Sequence, residues 1–341
     1  MINKIHLKDF RNFDEKLISF SPKITVIVGP NASGKTNILE SVFLLSTGKS
    51  FKAKIEEEMV RSTEELARVK ASISDIKLEV VLTKGSLKAV TKKKLLVNGV
   101  PKRMIDFAKN FHVVLFAPQD MDFVTESPSV RRRFLDIALS QSDYEYRRSL
   151  LVYEKGLRQR NRILQKIRDE QVPRTQLFYW DNLLLKNGDY ISNARENFIN
   201  YINQTPSFSS KKYEIEYDKS AISPQRLEQY KMEEVAAGTT LVGPHRDDFI
   251  FKEESRDLSS YGSRGEQRMA VLWLKLAELR YLEEILKERP TLLLDYIFSE
   301  LDHEHRDIVM EIADNQQTII TTADPHFIQE ISSLEKIELG E

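Results

Sequence analysis

Residues 23–45 read KITVIVGPNASGKTNILESVFLL, and this stretch decides the fold. Its first part is rich in β-branched residues and stops at Gly29, which is typical of a buried strand. From Lys35 onwards the apolar residues recur at helical spacing. Between the two, GPNASGKT (29–36) matches the phosphate-binding pattern G-x-x-x-x-G-K-[ST]. The sequence therefore predicts a strand, a phosphate loop and a helix in succession, the context that this pattern requires.

The loop residues predict a binding site for nucleotide phosphates. Glycine lets the backbone approach phosphate oxygens, and the loop N–H groups and the helix N-terminus supply partial positive charge. Lys35 would reach the β- and γ-phosphates, and the Thr36 hydroxyl would bind Mg²⁺. The predicted cofactors are ATP and Mg²⁺. The predicted ATP-binding residues of the loop are Gly29, Pro30, Asn31, Ala32, Ser33, Gly34, Lys35 and Thr36.

An acidic partner for the phosphate loop is predicted about 260 residues later, in LLLDYIFSELD (292–302). Asp295 ends a leucine-rich run that is typical of a buried parallel strand. A carboxylate at the carboxyl end of a strand beside a phosphate loop can hold Mg²⁺. An aspartate after three leucines is also an ordinary strand end, but a phosphate loop needs an acidic partner, which favours the metal-binding interpretation.

Composition indicates a large soluble protein with no global preference for polyanions. The chain has 341 residues, of which 41% are hydrophobic and 30% are charged, and Lys+Arg (51) balances Asp+Glu (52). Any basic surface must therefore be local. There is no cysteine, which excludes disulfides, cysteine zinc sites and a thiol nucleophile. No apolar run approaches the ~18 residues of a membrane span, and the N-terminus lacks a signal-peptide pattern. A cytoplasmic protein without membrane contact is expected.

The pattern of hydrophobic and charged residues changes twice along the chain. Residues up to about 122 and from about 242 read as α/β, with a strand predicted at 23–29, a long helix at 266–287, and buried strands around LLLDY and QTIITT. The region between is helical and charged, with two heptad-like runs that predict a short antiparallel helix pair. We predict an α/β ATPase lobe (1–122 and 242–341) interrupted by a mainly helical insertion lobe (123–241).

YGSRGEQRM (261–269) precedes the long helix. A serine hydroxyl and glycine amides at a helix N-terminus make an anion site. The same residues also form an N-cap box, with Ser263 as the cap and Glu266 at the third helical position, and the two interpretations are compatible. A second anion site on a chain that already has a phosphate loop indicates ATP held between two protomers.

These motifs together resemble the RecF family, bacterial recombination-repair ABC-type ATPases of the group that includes Rad50 and the SMC proteins. The resemblance spans nearly the whole chain. It implies that the chain has the α/β fold of an ABC-type P-loop ATPase head with an inserted, mainly helical arm lobe. The stretches that carry it are LKDFRNF (7–13), GPNASGKTNILE (29–40), SPSVRRRFLD (127–136), YEKGLRQRN (153–161), VGPHRDDF (242–249), SRGEQRMAVLWLKLAEL (263–279) and LLLDYIFSELD.

The resemblance implies roles for further residues. Arg11 and Asn12 would lie near the ATP, and Gln119 would sense Mg²⁺ and the attacking water beside Asp295. Thr322 falls at a switch position. Residues implied to contact the ATP of the other protomer, or to line that interface, are Ser263, Gly265, Gln267 and Asp302.

Tyr296 departs from the pattern of the family. In this group the residue after the strand aspartate is an acid that orients the hydrolytic water. Tyrosine is a neutral phenol at pH 7 and a poor base. Loss of such a group commonly costs on the order of 10²–10⁴-fold in rate. The sequence therefore predicts intact ATP binding with slow or negligible hydrolysis.

A local basic excess predicts contact with DNA. Between Arg147 and Arg174 there are nine Arg or Lys residues and three Asp or Glu residues. The run could neutralise a phosphate backbone, or it could be a solvated helix face. Because stacking aromatic residues are not interleaved with it in the way that single-strand binders show, duplex or gapped duplex DNA is favoured over single strands. The predicted DNA-binding residues are Arg131, Arg132, Arg147, Arg148, Arg158, Arg160, Arg162 and Lys166.

The predicted function is an ATP-dependent DNA clamp in recombinational repair that dimerises around ATP. The resemblance alone implies the partners RecR and RecO and, indirectly, the recombinase RecA. The alternatives are a structural ATPase of the Rad50/SMC kind, a transporter ATP-binding subunit and a P-loop kinase acting on a small molecule. The chain lacks the long coiled coil of the first, and the second anion site has no role in the last.

Overall fold

A computed structural model of the chain describes residues 1–85, 93–207, 211–299, 301, 303–323 and 334–340. It contains two compact units, Met1–Asp120 with Leu282–Glu341, and Met121–Tyr281. The strands are β1 (Ile2–Phe10), β2 (Phe13–Ser19), β3 (Ile24–Val28), β4 (Leu66–Ile73), β5 (Ile76–Thr83), β6 (Lys93–Val97), β7 (Val100–Lys102), β8 (Val113–Phe116), β9 (Tyr213–Asp218), β10 (Asp248–Glu253), β11 (Arg256–Asp257), β12 (Thr291–Asp295), β13 (Thr318–Thr322) and β14 (Leu334–Glu338). The helices are α1 (Lys35–Thr47), α2 (Met104–Phe107), α3 (Asp122–Thr125), α4 (Pro128–Ser142), α5 (Tyr144–Glu170), α6 (Phe178–Gln204), α7 (Pro224–Gln229), α8 (Lys231–Ala237), α9 (Leu258–Tyr261), α10 (Arg264–Leu286) and α11 (His303–Asp314).

The first unit contains a parallel sheet in the order β14-β3-β13-β12-β8. Every residue of β3, β12 and β13 is buried, which explains why these strands read as continuous apolar or β-branched runs rather than alternating ones. The phosphate loop connects β3 to α1, as the sequence predicts. α1 stops at Gly48, whose left-handed backbone (φ 64°) lets its N–H bond to the Leu44 carbonyl.

The first unit also contains an antiparallel sheet in the order β2-β1-β4-β5-β6-β7. Buried and exposed residues alternate along its strands, because only one face of the sheet is covered. In β4, Val69 and Ala71 are buried, whereas Lys70 between them is exposed. The turn between β1 and β2 holds Arg11 in the left-handed region (φ 55°). This turn carries the first residues that the family resemblance assigns to the ATP site.

The second unit is built around α5 and α6. Arg160 contacts Asp181, while Tyr146 contacts Arg195, so the two helices run antiparallel, as predicted. Gly156 allows their close approach, since a Cβ there would lie 2.5 Å from Leu183. Two short helices, α7 and α8, follow β9.

Polar stretches that are far apart in sequence meet inside the second unit. Arg131 of α4 donates two hydrogen bonds to Asp248, at 2.6 and 2.9 Å. Buried Arg195 donates to Asp136 and Asp247, both at 2.8 Å. SPSVRRRFLD and VGPHRDDF are therefore partners in one buried network. The compact unit runs on past the predicted lobe boundary at 241/242, because β10 pairs with β9.

Candidate ATP and DNA sites

The carboxyl edge of the parallel sheet collects most of the predicted ATP-site residues of the first unit. The phosphate loop follows β3, and Thr322 of the neighbouring β13 lies in register with Val28. Asp295 ends β12 in register with Thr321. Gln119 follows β8, the next strand, and its side chain is exposed. The topology therefore brings residues from four separate stretches to one edge.

The phosphate loop has the backbone that a phosphate cradle requires. Ala32 and Gly34 both have positive φ, 67° and 102°. A Cβ on Gly34 would lie 2.7 Å from the Asn12 side chain, so glycine is required there. The Ser33 hydroxyl oxygen is buried and has no hydrogen-bond partner among the described residues. The loop thus keeps an unused polar group in place.

Lys35 is held inside the loop. Its side chain is only 2% exposed, and Nζ donates to the carbonyls of Gly29 and Pro30 at 2.6 and 2.7 Å. Burial lowers the pKa of Lys35, and the Asp295 carboxylate opposes this shift. A cation restrained by two carbonyl groups is available for a stronger anionic partner.

Asp295 and Thr36 form an oxygen-rich pair suited to Mg²⁺. The Thr36 hydroxyl lies 3.0 Å from both carboxylate oxygens, and Thr321 donates to one of them at 2.6 Å. Burial raises the pKa of Asp295, and the hydrogen bonds from Thr321 and Thr36 oppose this rise. One carboxylate and one hydroxyl match Mg²⁺, which takes its remaining ligands from water and phosphate. No group of three or more potential metal-binding side chains occurs in the part of the chain that the structure describes.

Tyr296 follows Asp295 with an unusual backbone. Its φ is 55°, a region that bulky residues rarely adopt. Its N–H lies 3.2 Å from both the carbonyl and the hydroxyl of Thr321. The Tyr296 ring faces Lys35, whose Nζ is 5.1 Å from the ring centroid. Burial and the Asp295 charge raise the pKa of Tyr296, so the phenol is neutral at pH 7.

Arg11 and Asn12 lie against the loop and α1. Asn12 donates to the Ser33 carbonyl at 3.2 Å, which places it beside the predicted ATP site. Arg11 makes a bidentate ion pair with Glu40, at 2.6 and 2.7 Å, and also donates to the Glu58 carbonyl. Since these bonds anchor the β1–β2 turn to α1, they give Arg11 a structural role. Direct contact between Arg11 and ATP stays a prediction.

The second anion motif lies in the other unit. Ser263 and Glu266 form the predicted capping box: the Ser263 N–H donates to the Glu266 carboxylate at 2.8 Å, and the Glu266 N–H donates to the Ser263 hydroxyl at 3.3 Å. The first of these bonds, with Lys211 and Arg256, lowers the pKa of Glu266 to about 2. Gln267 is buried and donates to the Leu258 carbonyl at 2.8 Å. Gln267 therefore shapes the loop rather than facing outward, a difference from the predicted direct contact with ATP.

Gly265 has no role in the local fold that explains a glycine. It is exposed in the first turn of α10, and a Cβ built on it would meet no atom within 4 Å. Glycine lowers helix stability relative to alanine by up to about 1 kcal/mol. Asp302, the remaining residue implied for the trans site, lies outside the described residues.

The prediction of DNA binding is wrong for three arginines, because they are buried in the structure. Arg131 pairs with Asp248, Arg147 donates to the carbonyls of Ser140 and Gln141, and Arg160 contacts three side chains, Asp181, Glu234 and Thr240. Partly exposed Arg132 donates to the Asp247 carbonyl, and Arg148 pairs with Glu145. Each partner except Glu145 is distant in the sequence or a main-chain group, so the basic run alone could not reveal it.

Two surfaces carry clusters of exposed cations, and the first of them includes the predicted Arg158, Arg162 and Lys166. Lys155, Arg158, Arg162 and Lys166 form a stripe along α5, and no described residue forms an ion pair with Lys155, Arg158 or Arg162. In the first unit, the outward face of the antiparallel sheet carries a depression of about 440 Å³. The cationic and histidine side chains that line it are Lys4, His6, Lys70 and Lys77. The alternation of basic residues along β1 and β4 was the missed signal for this face.

Sequence analysis also missed Thr321 and Glu40. Thr321 links Asp295 to the Tyr296 backbone, and Glu40 holds Arg11. The doubled threonine at the end of β13, beside the phosphate-loop strand, was the available signal for Thr321. No local signal identifies Glu40, because its partner lies 29 residues away.

These features together define an ABC-type ATPase head with a helical unit. They are a phosphate loop on a parallel sheet, a strand aspartate bonded to the loop threonine, an antiparallel sheet and a capped Ser-x-Gly-x-Gln segment. The family model described as RecF/RecN/SMC N terminal domain matches residues 1–341. An Smc head domain from Pyrococcus furiosus shares the fold at 15% identity, with a TM-score of 0.53 over 98% of this chain and 92% of that chain.

Comparison with individual proteins identifies a narrower family. The chain is 34% identical to the DNA replication and repair protein RecF of Lachnoclostridium phytofermentans, covering 94% of this chain and 92% of that protein. It is 35% identical to that of Halalkalibacterium halodurans, with the same coverage. A solved structure of the recombination mediator protein RecF-ATP in the RecFOR pathway is 32% identical, with a TM-score of 0.88 over 97% of this chain and 93% of that chain. The chain belongs to the RecF family.

No helix in the described ranges has both the length and the apolar character that a membrane span needs.

Proposed function

We propose that this chain is an ATP-dependent DNA-binding protein of recombinational repair. Two copies dimerise around ATP on double-stranded or gapped DNA, and the dimer helps to load the recombinase. The observation that carries the proposal is the phosphate loop, where Lys35 donates to the Gly29 carbonyl and Thr36 donates to Asp295 at the end of β12. The repair role is supported by the family relatives, which are named DNA replication and repair proteins.

ATP binding is supported by the chemistry of each group. Lys35 exchanges its two carbonyl partners for phosphate oxygens, to which a cation binds more strongly. Thr36 and Asp295 hold Mg²⁺, which neutralises the phosphate charge and orients the β- and γ-phosphates. The similar RecF-ATP structure supports the same ligand.

Dimerisation is supported by a helix N-terminus at Ser263 and Gly265 that remains exposed. Ser263 caps α10 with its hydroxyl, and exposed Gly265 keeps the space in front of the first helical turn open. Backbone N–H groups at the start of this 23-residue helix favour an anion. The γ-phosphate of ATP held by another copy fits this requirement, which makes the dimer dependent on ATP.

DNA binding is supported by the α5 stripe. Its exposed cations follow one side of a 27-residue helix, as contacts with a phosphate backbone require. The basic face of the antiparallel sheet is a second candidate surface. There, Arg68 and Lys70 share Glu79, whereas Lys4 and Lys77 form no ion pair with a described residue. Both surfaces provide cations without a pattern of base-reading side chains, which favours binding independent of sequence.

RecR and RecO are proposed partners, and RecA is an indirect one. They rest on the family resemblance and on the RecFOR pathway named for the similar structure. Hydrolysis is proposed to be slow, because Tyr296 stands where the family has an acid and its phenol is a poor base. A P-loop kinase acting on a small molecule is disfavoured, since it has no use for the capped loop at Ser263.

The test is sedimentation of the chain with ATP, with and without a gapped duplex. The wild type should dimerise with ATP and bind DNA. Lys35→Ala should lose ATP binding, whereas Ser263→Arg should retain ATP binding and stay monomeric, because its side chain fills the space at the exposed helix N-terminus. A wild-type chain that stays monomeric in saturating ATP would contradict the proposal and favour the kinase alternative.

A further inference from the structure

The backbone at position 296 does not explain why a tyrosine stands there. Its φ of 55° is disfavoured for bulky residues, whereas aspartate and asparagine visit this region more readily. Two contacts of the Tyr296 N–H with Thr321 hold this conformation. Because any residue other than proline could make these bonds, the reason for a tyrosine must lie in the contacts of its side chain.

The side chain of Tyr296 completes the enclosure of Lys35. Two carbonyls of the phosphate loop accept hydrogen bonds from the ammonium, and the aromatic ring lies over it at 5.1 Å. An aromatic face attracts a cation, and such a contact is worth at least about two- to fivefold in an equilibrium constant, the range for exposed sites. The ring therefore stabilises Lys35 in its contact with the two carbonyls.

At the position after Asp295, the tyrosine supplies no carboxylate that could activate water. A phenol is a poor base compared with a carboxylate. Asp295 accepts hydrogen bonds from Thr36 and Thr321, and Asp120 accepts one from the Ala117 N–H at 2.9 Å. The described carboxylates at this edge are therefore engaged in structural or metal-binding contacts.

We propose that Tyr296 is a positioning residue that clamps Lys35 in the nucleotide-free protein and that makes ATP release, rather than hydrolysis, the step that resets the dimer. Binding of the phosphates exchanges the ring for an ion pair with Lys35. The bound ATP then persists until it dissociates. This inference rests on the proposed function, since it concerns the same ATP site.

The clamp is tested first without nucleotide, by NMR of lysine-labelled protein. The ring current of Tyr296 should shift the Lys35 ε-CH₂ proton resonance upfield. Tyr296→Phe should keep this shift, whereas Tyr296→Asn should lose it. Addition of ATP should move the wild-type resonance towards its position in Tyr296→Asn. Tyr179→Asn, which removes an exposed tyrosine from α6, is the matched control and should leave the resonance unchanged.

The second measurement follows ATP itself. Tyr296→Asn should bind ATP about two- to fivefold more tightly than the wild type, because no ring competes with the phosphate for Lys35. Tyr296→Asp should raise the hydrolysis rate at least about tenfold, within the range expected for a restored water-orienting group. In the wild type, labelled ATP chased with unlabelled ATP should be recovered intact from the complex.

Several results would overturn the inference. A Lys35 resonance that is the same in the wild type and in Tyr296→Asn means that the ring does not cover the ammonium. Weaker ATP binding by Tyr296→Asn means that the ring supports ATP instead of competing with it. Recovery of labelled ADP during the chase removes the proposed reset by release. Failure of the wild type to bind ATP would instead contradict the proposed function, and the NMR result would still judge the clamp.

Discussion

Replacing Arg11 with methionine should destabilise the first unit by removing the only cation that contacts Glu40 in the described structure. The Glu40 side chain is fully buried, and that of Arg11 is 15% exposed. Arg11 donates two hydrogen bonds to the Glu40 carboxylate and one to the Glu58 carbonyl, which leaves the Ser50 hydroxyl as the remaining side-chain donor to Glu40. Loss of one partner of such a pair costs about 3–5 kcal/mol, chiefly through the buried charge that remains.

The assay is urea unfolding of the nucleotide-free protein, with ATP affinity measured on the same samples. Arg11→Met should lower the free energy of unfolding by about 3–5 kcal/mol and weaken ATP binding. Arg11→Met combined with Glu40→Gln should recover more than half of that loss, because the buried charge is gone. Glu40→Gln alone is the control for the amide.

The ATP measurement separates the two roles of Arg11. If Arg11 affects ATP binding only by compensating the buried charge of Glu40, the double variant should regain ATP affinity together with stability. A stability loss below about 1 kcal/mol, or no recovery in the double variant, would mean that the buried pair does not stabilise this unit. Recovered stability without recovered ATP binding would show that ATP binding needs the guanidinium of Arg11 itself, for the β1–β2 turn or for the nucleotide.

Three further predictions concern separate parts of the chain. Charge reversal at exposed Arg158 and Arg162 should lower the slope of log affinity for duplex DNA against log salt by about 0.9 per lost phosphate contact, and an unchanged slope would remove α5 from the DNA surface. Lys70→Glu on the antiparallel sheet should weaken DNA binding without changing ATP affinity, and no effect on DNA would exclude that face. Burial lowers the pKa of His245 from 6.5 to about 4, so the unfolded chain takes up the proton first as the pH falls. Stability should therefore be full above about pH 6.5 and decline towards pH 4, and a His245→Gln variant with the same decline would contradict this assignment.

Local patterns predicted the parts of the site that local physics determines. The phosphate loop, the strand ending at Asp295 and the capping box of Ser263 and Glu266 depend on residues within a few positions of one another, and each is present. The capping box also shows that two interpretations of one motif can hold together, since it leaves Gly265 exposed.

The buried arginines could not be predicted in this way. Arg131 finds Asp248 across 117 positions, and Arg160 finds Glu234 across 74. A run of basic residues looks the same in sequence whether it faces solvent or a buried carboxylate, because only the tertiary fold brings the acid to it. The stretches around Arg131 and Asp248, which carry part of the family resemblance, therefore serve the interior of the helical unit. The lobe boundaries predicted at 122/123 and 241/242 remain proposals, because the limits of a lobe depend on tertiary contacts that the sequence does not display.

The proposed function and the role proposed for Tyr296 require that ATP controls DNA binding and that bound ATP persists. The first measurement is binding to a gapped duplex, followed over time after a small, limiting addition of ATP. Binding should require ATP and should persist without formation of ADP. Binding that is the same with and without ATP would contradict ATP control, and binding that decays in step with ADP formation would contradict the persistence attributed to Tyr296.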